Sequence, residues 1–298
     1  MTTLAPLAGI RVLSLALNLP GPAALMRCRA MGAECVKFEP PAAPGSSADP
    51  MRLYAPAAYA EMHAGIALVQ GDLKTPEGRA QLDQALARTD VLITSFRPSA
   101  LDKLGLGWEA LHARHPRLSM VAIVGAPGAR AEEPGHDLTY LAESGLVTGC
   151  ELPPTLYADM AGSLMASEAV LQVLLHRSTH GSGTRLEVAL SAAAHYLALP
   201  RQWGLTQPGG SVGGAHAGYR VYPCRDGRVA LAALEPHFAQ RLCEAAGLGT
   251  EAGNAMFRSS THAAIAAFLQ RLGCDEIEAI ARQHDLPLHV LRDAAEPR

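Results

Sequence analysis

Residues 10–41 read IRVLSLALNLPGPAALMRCRAMGAECVKFEPP, and the fold is decided here. Ile10 to Leu17 is an apolar run of strand length. Pro20-Gly21-Pro22 turns the chain, and Ala23 to Met31 follows as a helix closed by Gly32. Glu34 to Phe38 resumes as a second strand and stops at Pro40-Pro41. A strand, a helix and another strand in this order form the repeating unit of a parallel α/β sheet. Further along, Leu73 to Arg88 reads as a helix whose start is marked by Thr75-Pro76-Glu77: a capping hydroxyl, a proline in the first turn, then an acid. Asp90 to Thr94 and Leu118 to Val124 are short apolar strands, whereas Pro41 to Ala60 is rich in Pro, Ala and Ser and is expected to be irregular. Met160 to His176 fits a long helix beginning just after Asp159. Thr184 to Leu190 reads as a strand and Ala192 to Trp203 as a helix.

Residues 1–206 are therefore expected to form a Rossmann-like large domain with a parallel sheet, with ligands at the carboxyl ends of its strands near a switch in strand order. Gln207 to Gly218 holds five glycines and is expected to be a mobile linker. Residues 219–298 read as a smaller α+β domain. Tyr219 to Cys224 and Arg228 to Ala233 make a hairpin about Asp226-Gly227, and helices follow Pro236 and Thr261. No Gly-x-Gly-x-x-Gly occurs, so the dinucleotide fingerprint is missing.

The 298 residues are 49% hydrophobic and 18% charged, which implies a sizeable core and argues against disorder. A formal net charge of −3 without a basic run excludes a chain built to track a phosphate backbone, so no nucleic acid partner is expected. The apolar run Val12 to Leu19 is cut by Pro20 and is too short to span a bilayer. Six cysteines stand apart without Cys-x-x-Cys spacing and read as buried free thiols, with no metal site expected. Together these readings describe a soluble cytoplasmic protein with no membrane partner.

Two runs carry candidate chemistry: Gly135-His136-Asp137-Leu138-Thr139-Tyr140-Leu141, and Tyr157-Ala158-Asp159-Met160-Ala161-Gly162-Ser163. Asp159, at an expected helix start, is either an N-cap carboxylate or an acid facing a ligand beside free helix N–H groups. His136 carries an imidazole, the side-chain type suited to proton transfer. Asp137 either orients His136 or caps a helix starting near Leu138. Glu235, just before Pro236, is either a favourable charge at a helix start or a site residue. Lys37 and Arg97 lie at expected strand ends, where a phosphate-bearing ligand would rest.

In this order the residues resemble the family III CoA-transferases and their relatives, the 2-methylacyl-CoA racemases. The likeness runs from Leu7-Ala8-Gly9-Ile10-Arg11-Val12-Leu13 through Gly32 to Pro41, Asp72-Leu73-Lys74-Thr75-Pro76-Glu77-Gly78-Arg79 and Ser95-Phe96-Arg97-Pro98. It continues through Leu104-Gly105-Leu106-Gly107, the two runs above, and Tyr222-Pro223-Cys224-Arg225-Asp226-Gly227 to Glu235-Pro236. The resemblance implies an interlocked homodimer with a site between the large domain of one subunit and the small domain of the other. It implies an acyl-CoA substrate and no separate cofactor, with Lys37, Arg97 and Tyr140 as binding residues. Asp159 matches the family's catalytic aspartate. In transferases that residue attacks the thioester; in racemases it pairs with a histidine, here His136, and a glutamate, here Glu235, completes the set. This set favours a racemase. A CoA-transferase using Asp159 alone and a degenerate CoA-binding relative are the alternatives.

Relatives of this kind carry an Asn-Arg-Gly-Lys-Arg-like run of phosphate-binding cations where this chain has His63-Ala64-Gly65-Ile66-Ala67, so weakened CoA binding is expected. Relatives also continue beyond Asp285 to Val290, which leads to the expectation of either a looser interlock or a dimer built differently. A double glycine is frequent after the catalytic aspartate, and here Ala161-Gly162-Ser163 keeps one close-approach position.

Overall fold

The computed structural model describes residues 4–42, 48–249 and 253–292. Its contacts divide the chain into two units, residues 1–198 and 199–298. The boundary thus falls eight residues earlier than the expected end of the large domain at 206.

In the first unit β1 (Arg11–Ser14), α1 (Pro20–Ala30) and β2 (Glu34–Glu39) realise the opening stretch as read. Next come α2 (Pro50–Tyr54), α3 (Pro56–Met62), β3 (Ala67–Gln70), α4 (Pro76–Leu86), β4 (Val91–Thr94), α5 (Pro98–Lys103), α6 (Trp108–Arg114) and β5 (Ser119–Val124). Finally α7 (Asp137–Glu143), α8 (Tyr157–His180) and β6 (Arg185–Ala189) follow, and α9 (Leu190–Gln202) begins in this unit and runs past its end at residue 198. The six strands are parallel in the order β3-β2-β1-β4-β5-β6, so the strand order reverses between β1 and β4.

Alternation along each strand explains why both faces are covered. Val12, Val91, Ile93, Val121 and Ile123 face one core with Leu25 of α1 and Ala166, Val170 and Val173 of α8. Leu13, Leu92 and Met120 face the other, against Leu82 and Leu86 of α4, Leu101 of α5 and Leu111 of α6. Thr75 accepts the N–H of Gly78 at 3.1 Å, as its place before Pro76 predicts. Helix α8 is long and apolar enough to cross a membrane by composition alone, but half of its most apolar window is buried inside the protein.

Three expectations need correction. The Pro41–Ala60 segment contains α2 and most of α3, because Asp49 accepts the N–H of Met51 and Pro50 and Pro56 each occupy a first helical turn. Residues 43–47 of that segment lie outside the described residues. Helix α8 begins before Asp159, at Tyr157, so Asp159 is its third residue and not its cap. Strand β3 adds to the expected set, and its exposure pattern is that of an edge strand without a buried face, which leaves no alternation to read.

The second unit holds β7 (Tyr219–Cys224), β8 (Gly227–Ala232), α10 (Pro236–Ala245), α11 (Ser259–Gln270), α12 (Cys274–His284) and β9 (Leu288–Arg292). The strands form an antiparallel sheet in the order β7-β8-β9. Val229, Leu231, Leu242, Met256, Ile265, Ile277 and Val290 make its core. The glycine-rich stretch 207–218 belongs to this unit. It is not a bare connector: His216 and Ala217 are buried, and the Ala217 N–H donates to the Met256 carbonyl at 2.8 Å.

Candidate active site

At the carboxyl ends of β1, β4, β5 and β6 the first unit opens a cavity of about 200 Å³. Leu17 and Asn18 follow β1, Ser95 to Arg97 follow β4, Gly125 follows β5 and Leu190 follows β6. His136 and Tyr140 enter from α7 and its start, Asp159 from α8, and Pro20 opens α1 at the rim. This is the crevice that a reversal of strand order creates in an open parallel sheet. Gly21 lets α1 start that close: a Cβ there would overlap the side chain of Ala16.

Asp159 is 9% exposed. Burial, reinforced by the nearby Asp137 carboxylate and opposed by His136, pushes its carboxyl up from 3.8 to about 6. The first turn of a helix favours a carboxylate anion, so here desolvation outweighs the dipole. Asp137 is itself buried, and its Oδ1 accepts the Asp159 N–H at 3.0 Å. Asp137 thus satisfies a free donor at the start of α8 while its own helix, α7, starts on it. His136 immediately precedes α7 and is exposed in the cavity wall. Thr139 locks its backbone, accepting the His136 N–H at 3.0 Å and donating to the His136 carbonyl at 2.7 Å.

Tyr140 is 7% exposed, and a Cβ on Gly135 would lie 2.6 Å from its hydroxyl. Burial and the Asp159 charge raise the Tyr140 phenol, which therefore stays a donor at the cavity edge. Arg97 is exposed on the cavity wall as the residue before α5.

Asn18 was not singled out from sequence. Its φ of +68° is a left-handed conformation that Asn tolerates better than most residues. Its Oδ1 accepts the Tyr54 hydroxyl, and its backbone N–H donates to Asp49 Oδ1 at 3.0 Å. With the carbonyl oxygen engaged by Tyr54, what remains of the amide is its NH2 donor group, and Asn18 lines the cavity. The legible signal was its place at the carboxyl end of the first strand. If those donors hold a developing oxyanion, Asn18→Ala should lower kcat by about 10²–10³-fold. Tyr54→Phe, which frees the amide to turn, should lower it less. Steady-state kinetics on both variants checks the order.

Lys37 does not do what its position at a strand end suggested. It is 0% exposed, and its ammonium has three acceptors: Glu39 at 2.9 Å, the Asp49 carboxylate, and His63 Nε2 at 3.0 Å. An ammonium has three donors, so none remains for a phosphate. Glu39 also accepts the Tyr59 hydroxyl at 2.6 Å. Burial holds the His63 imidazole below its ordinary range, with Lys37 adding to the effect. His63 is therefore neutral and bonds the Tyr59 carbonyl through Nδ1 at 2.6 Å. The segment that lacks the phosphate-binding cations implied by the resemblance thus supplies an acceptor to the core.

Glu235 precedes α10 in the second unit, where it is exposed. Six free cysteines are present; Cys28, Cys35, Cys243 and Cys274 are buried as expected, but Cys150 is exposed and Cys224 half-buried.

An open parallel sheet with a carboxylate, an imidazole and a guanidinium around its switch point defines an α/β protein built to hold a small ligand at that edge. The chain belongs to CoA-transferase family III, which it matches over residues 7–297. It is 29% identical over 274 residues to a probable fatty acyl-CoA transferase of Mycobacterium tuberculosis, covering 80% of this chain and 68% of that one. It is 30% identical over 263 residues to the human alpha-methylacyl-CoA racemase, covering 82% of this chain and 66% of that protein. Among solved structures, a CAIB/BAIF family protein from Brucella suis superposes with a TM-score of 0.79 at 25% identity, covering 95% of this chain and 83% of the other. This chain therefore spans about two thirds of the curated relatives' length.

Proposed function

We propose that this protein acts on acyl-CoA thioesters and inverts the configuration at a 2-methyl-substituted α-carbon by removing and returning a proton. The observation that carries this reading is the joint presence of Asp159 and His136 in one cavity wall, with the Asp159 carboxyl raised to about 6. A base and an acid serve best when their pKa values lie near the working pH. The α-proton leaves to one of the two side chains, and the negative charge moves onto the thioester oxygen as an enolate. In this reading the Asn18 amide, which lines the cavity, donates to that oxygen. Reprotonation from the other side chain gives the opposite configuration. Arg97 and Tyr140 line the cavity as candidate contacts for the CoA arm. The working unit in this reading is a homodimer, which fits the exposed apolar residues Leu156, Met160 and Leu164, spaced four apart from the residue before α8 into its second turn.

A second reading, CoA transfer through an Asp159 acyl anhydride, is favoured by the transferase named among the relatives. One experiment separates the two. In heavy water with a 2-methylacyl-CoA and no acceptor acid, the racemase reading predicts deuterium entering the α-carbon and a loss of about 10²–10⁴-fold in His136→Ala. No exchange, together with acyl transfer to an added carboxylic acid that survives His136→Ala, would establish the transferase reading instead.

A further inference from the structure

The tip of the β7–β8 hairpin is fastened to the start of α12 and the turn before it. The Arg225 N–H donates to the Leu272 carbonyl at 2.9 Å, the Cys274 N–H donates to Asp226 Oδ1 at 2.7 Å, and the Arg225 guanidinium pairs with Glu276 at 3.0 Å. Cys224 ends β7 and Cys274 begins α12, and their sulfurs lie 3.7 Å apart, in van der Waals contact. Gly227, the cross-strand partner of Cys224, makes room for this contact, since a Cβ there would stand 3.2 Å from Cys274 Sγ. Cys224 is half-buried and Cys274 is 1% exposed. The other cysteines are placed differently: Cys28 and Cys35 are buried in the large core, Cys243 packs on Met256 Sδ at 3.7 Å, and Cys150 is exposed on a loop.

We propose that Cys224 and Cys274 are a redox pair, with Cys224 the entry point for a hydroperoxide and Cys274 the thiol that resolves it into an intrachain disulfide. In the first step the Cys224 sulfur attacks the peroxide; an S–O bond forms, the O–O bond breaks, and a sulfenic acid and an alcohol (or water) result. In the second, the Cys274 sulfur displaces the sulfenic oxygen, which leaves as hydroxide and takes the Cys274 proton to form water. The peroxide is reduced by two electrons and the two thiols are oxidised to one disulfide. The docked hairpin tip keeps the second thiol beside the first, so resolution is intramolecular.

A soft cation held by Cys224, Cys274 and Asp226 is the competing use of the same atoms, which lie within 4.8 Å of one another. It is disfavoured because Asp226 Oδ1 already accepts the Cys274 N–H.

The test uses the full-length reduced protein, freed of reductant, treated with hydrogen peroxide and then alkylated in denaturant. The expected result is two fewer alkyl groups by intact mass and a peptide linking Cys224 to Cys274 that dithiothreitol separates. Cys274→Ser should instead leave a Cys224 sulfenic acid that dimedone traps, and Cys224→Ser should yield no linked peptide. Oxidation of Cys224 to sulfinic acid while Cys274 still alkylates fully would overturn the proposal. So would one equivalent of zinc co-purifying with the protein and lost in Cys224→Ser.

Discussion

Asp159→Asn should abolish α-proton exchange, by about 10³-fold or more, and at the same time make the protein more stable at pH 7.5 by about 2–3 kcal/mol. Both effects come from the same burial. The folded carboxyl titrates at about 6 against an ordinary 3.8, so the folded protein holds that proton more tightly than the unfolded chain does. Below about pH 4 both states are protonated and the residue costs nothing. Between about pH 4 and 6 the unfolded chain ionises first, and wild-type stability falls as pH rises. Above about pH 6 the full penalty is present. The neutral amide introduced by the substitution carries no charge and escapes it. Urea unfolding of both proteins at about pH 3.5, 5 and 7.5 should therefore show a stability difference that grows with pH. An equal or lower stability of the variant at the highest pH would mean that Asp159 is not desolvated as described. The kcat/KM of the wild type should rise through about pH 6 as the carboxylate forms.

Lys37→Met is the second large effect, and it acts on folding. Removing the ammonium leaves Glu39, 2% exposed, and Asp49, 0% exposed, as buried carboxylates without their shared cation. Breaking a buried pair in this way costs about 3–5 kcal/mol, a large part of the stability of an ordinary domain. Guanidinium melts read the loss directly. A phosphate-contact role would give a different pattern, with stability unchanged and a raised KM for CoA thioesters. Because Asp49 also accepts the Asn18 N–H, the surviving folded fraction should have a lower kcat as well.

Periodicity and punctuation made most of this fold legible. The first strand, helix and strand were readable because apolar runs of strand length alternate with a helix bounded by Pro20 and Gly32. The cap at Thr75 was readable because its hydroxyl precedes a proline and an acid. What stayed hidden depends on tertiary placement. The Pro- and Ala-rich segment before Tyr59 looks irregular locally, yet Asp49 caps α2 because Lys37, from a strand, fixes it there. Lys37 resembled a ligand contact since its sequence neighbours do not reveal that two acids and a neutral histidine surround it. His136 and Asp159 were legible as candidates from motif likeness. Asn18 escaped notice because its relevance comes from a backbone conformation and from Tyr54, thirty-six residues away.

The buried ammonium also limits where new cations could be grafted onto this lobe. Position 63 is closed to a basic side chain, which would set two cations against each other in a dry interior. Position 66 is 7% exposed and would entomb a newcomer. Positions 64 and 67 face solvent and are open to arginine. A charge graft on this lobe thus has two usable addresses and two forbidden ones, all within five consecutive residues.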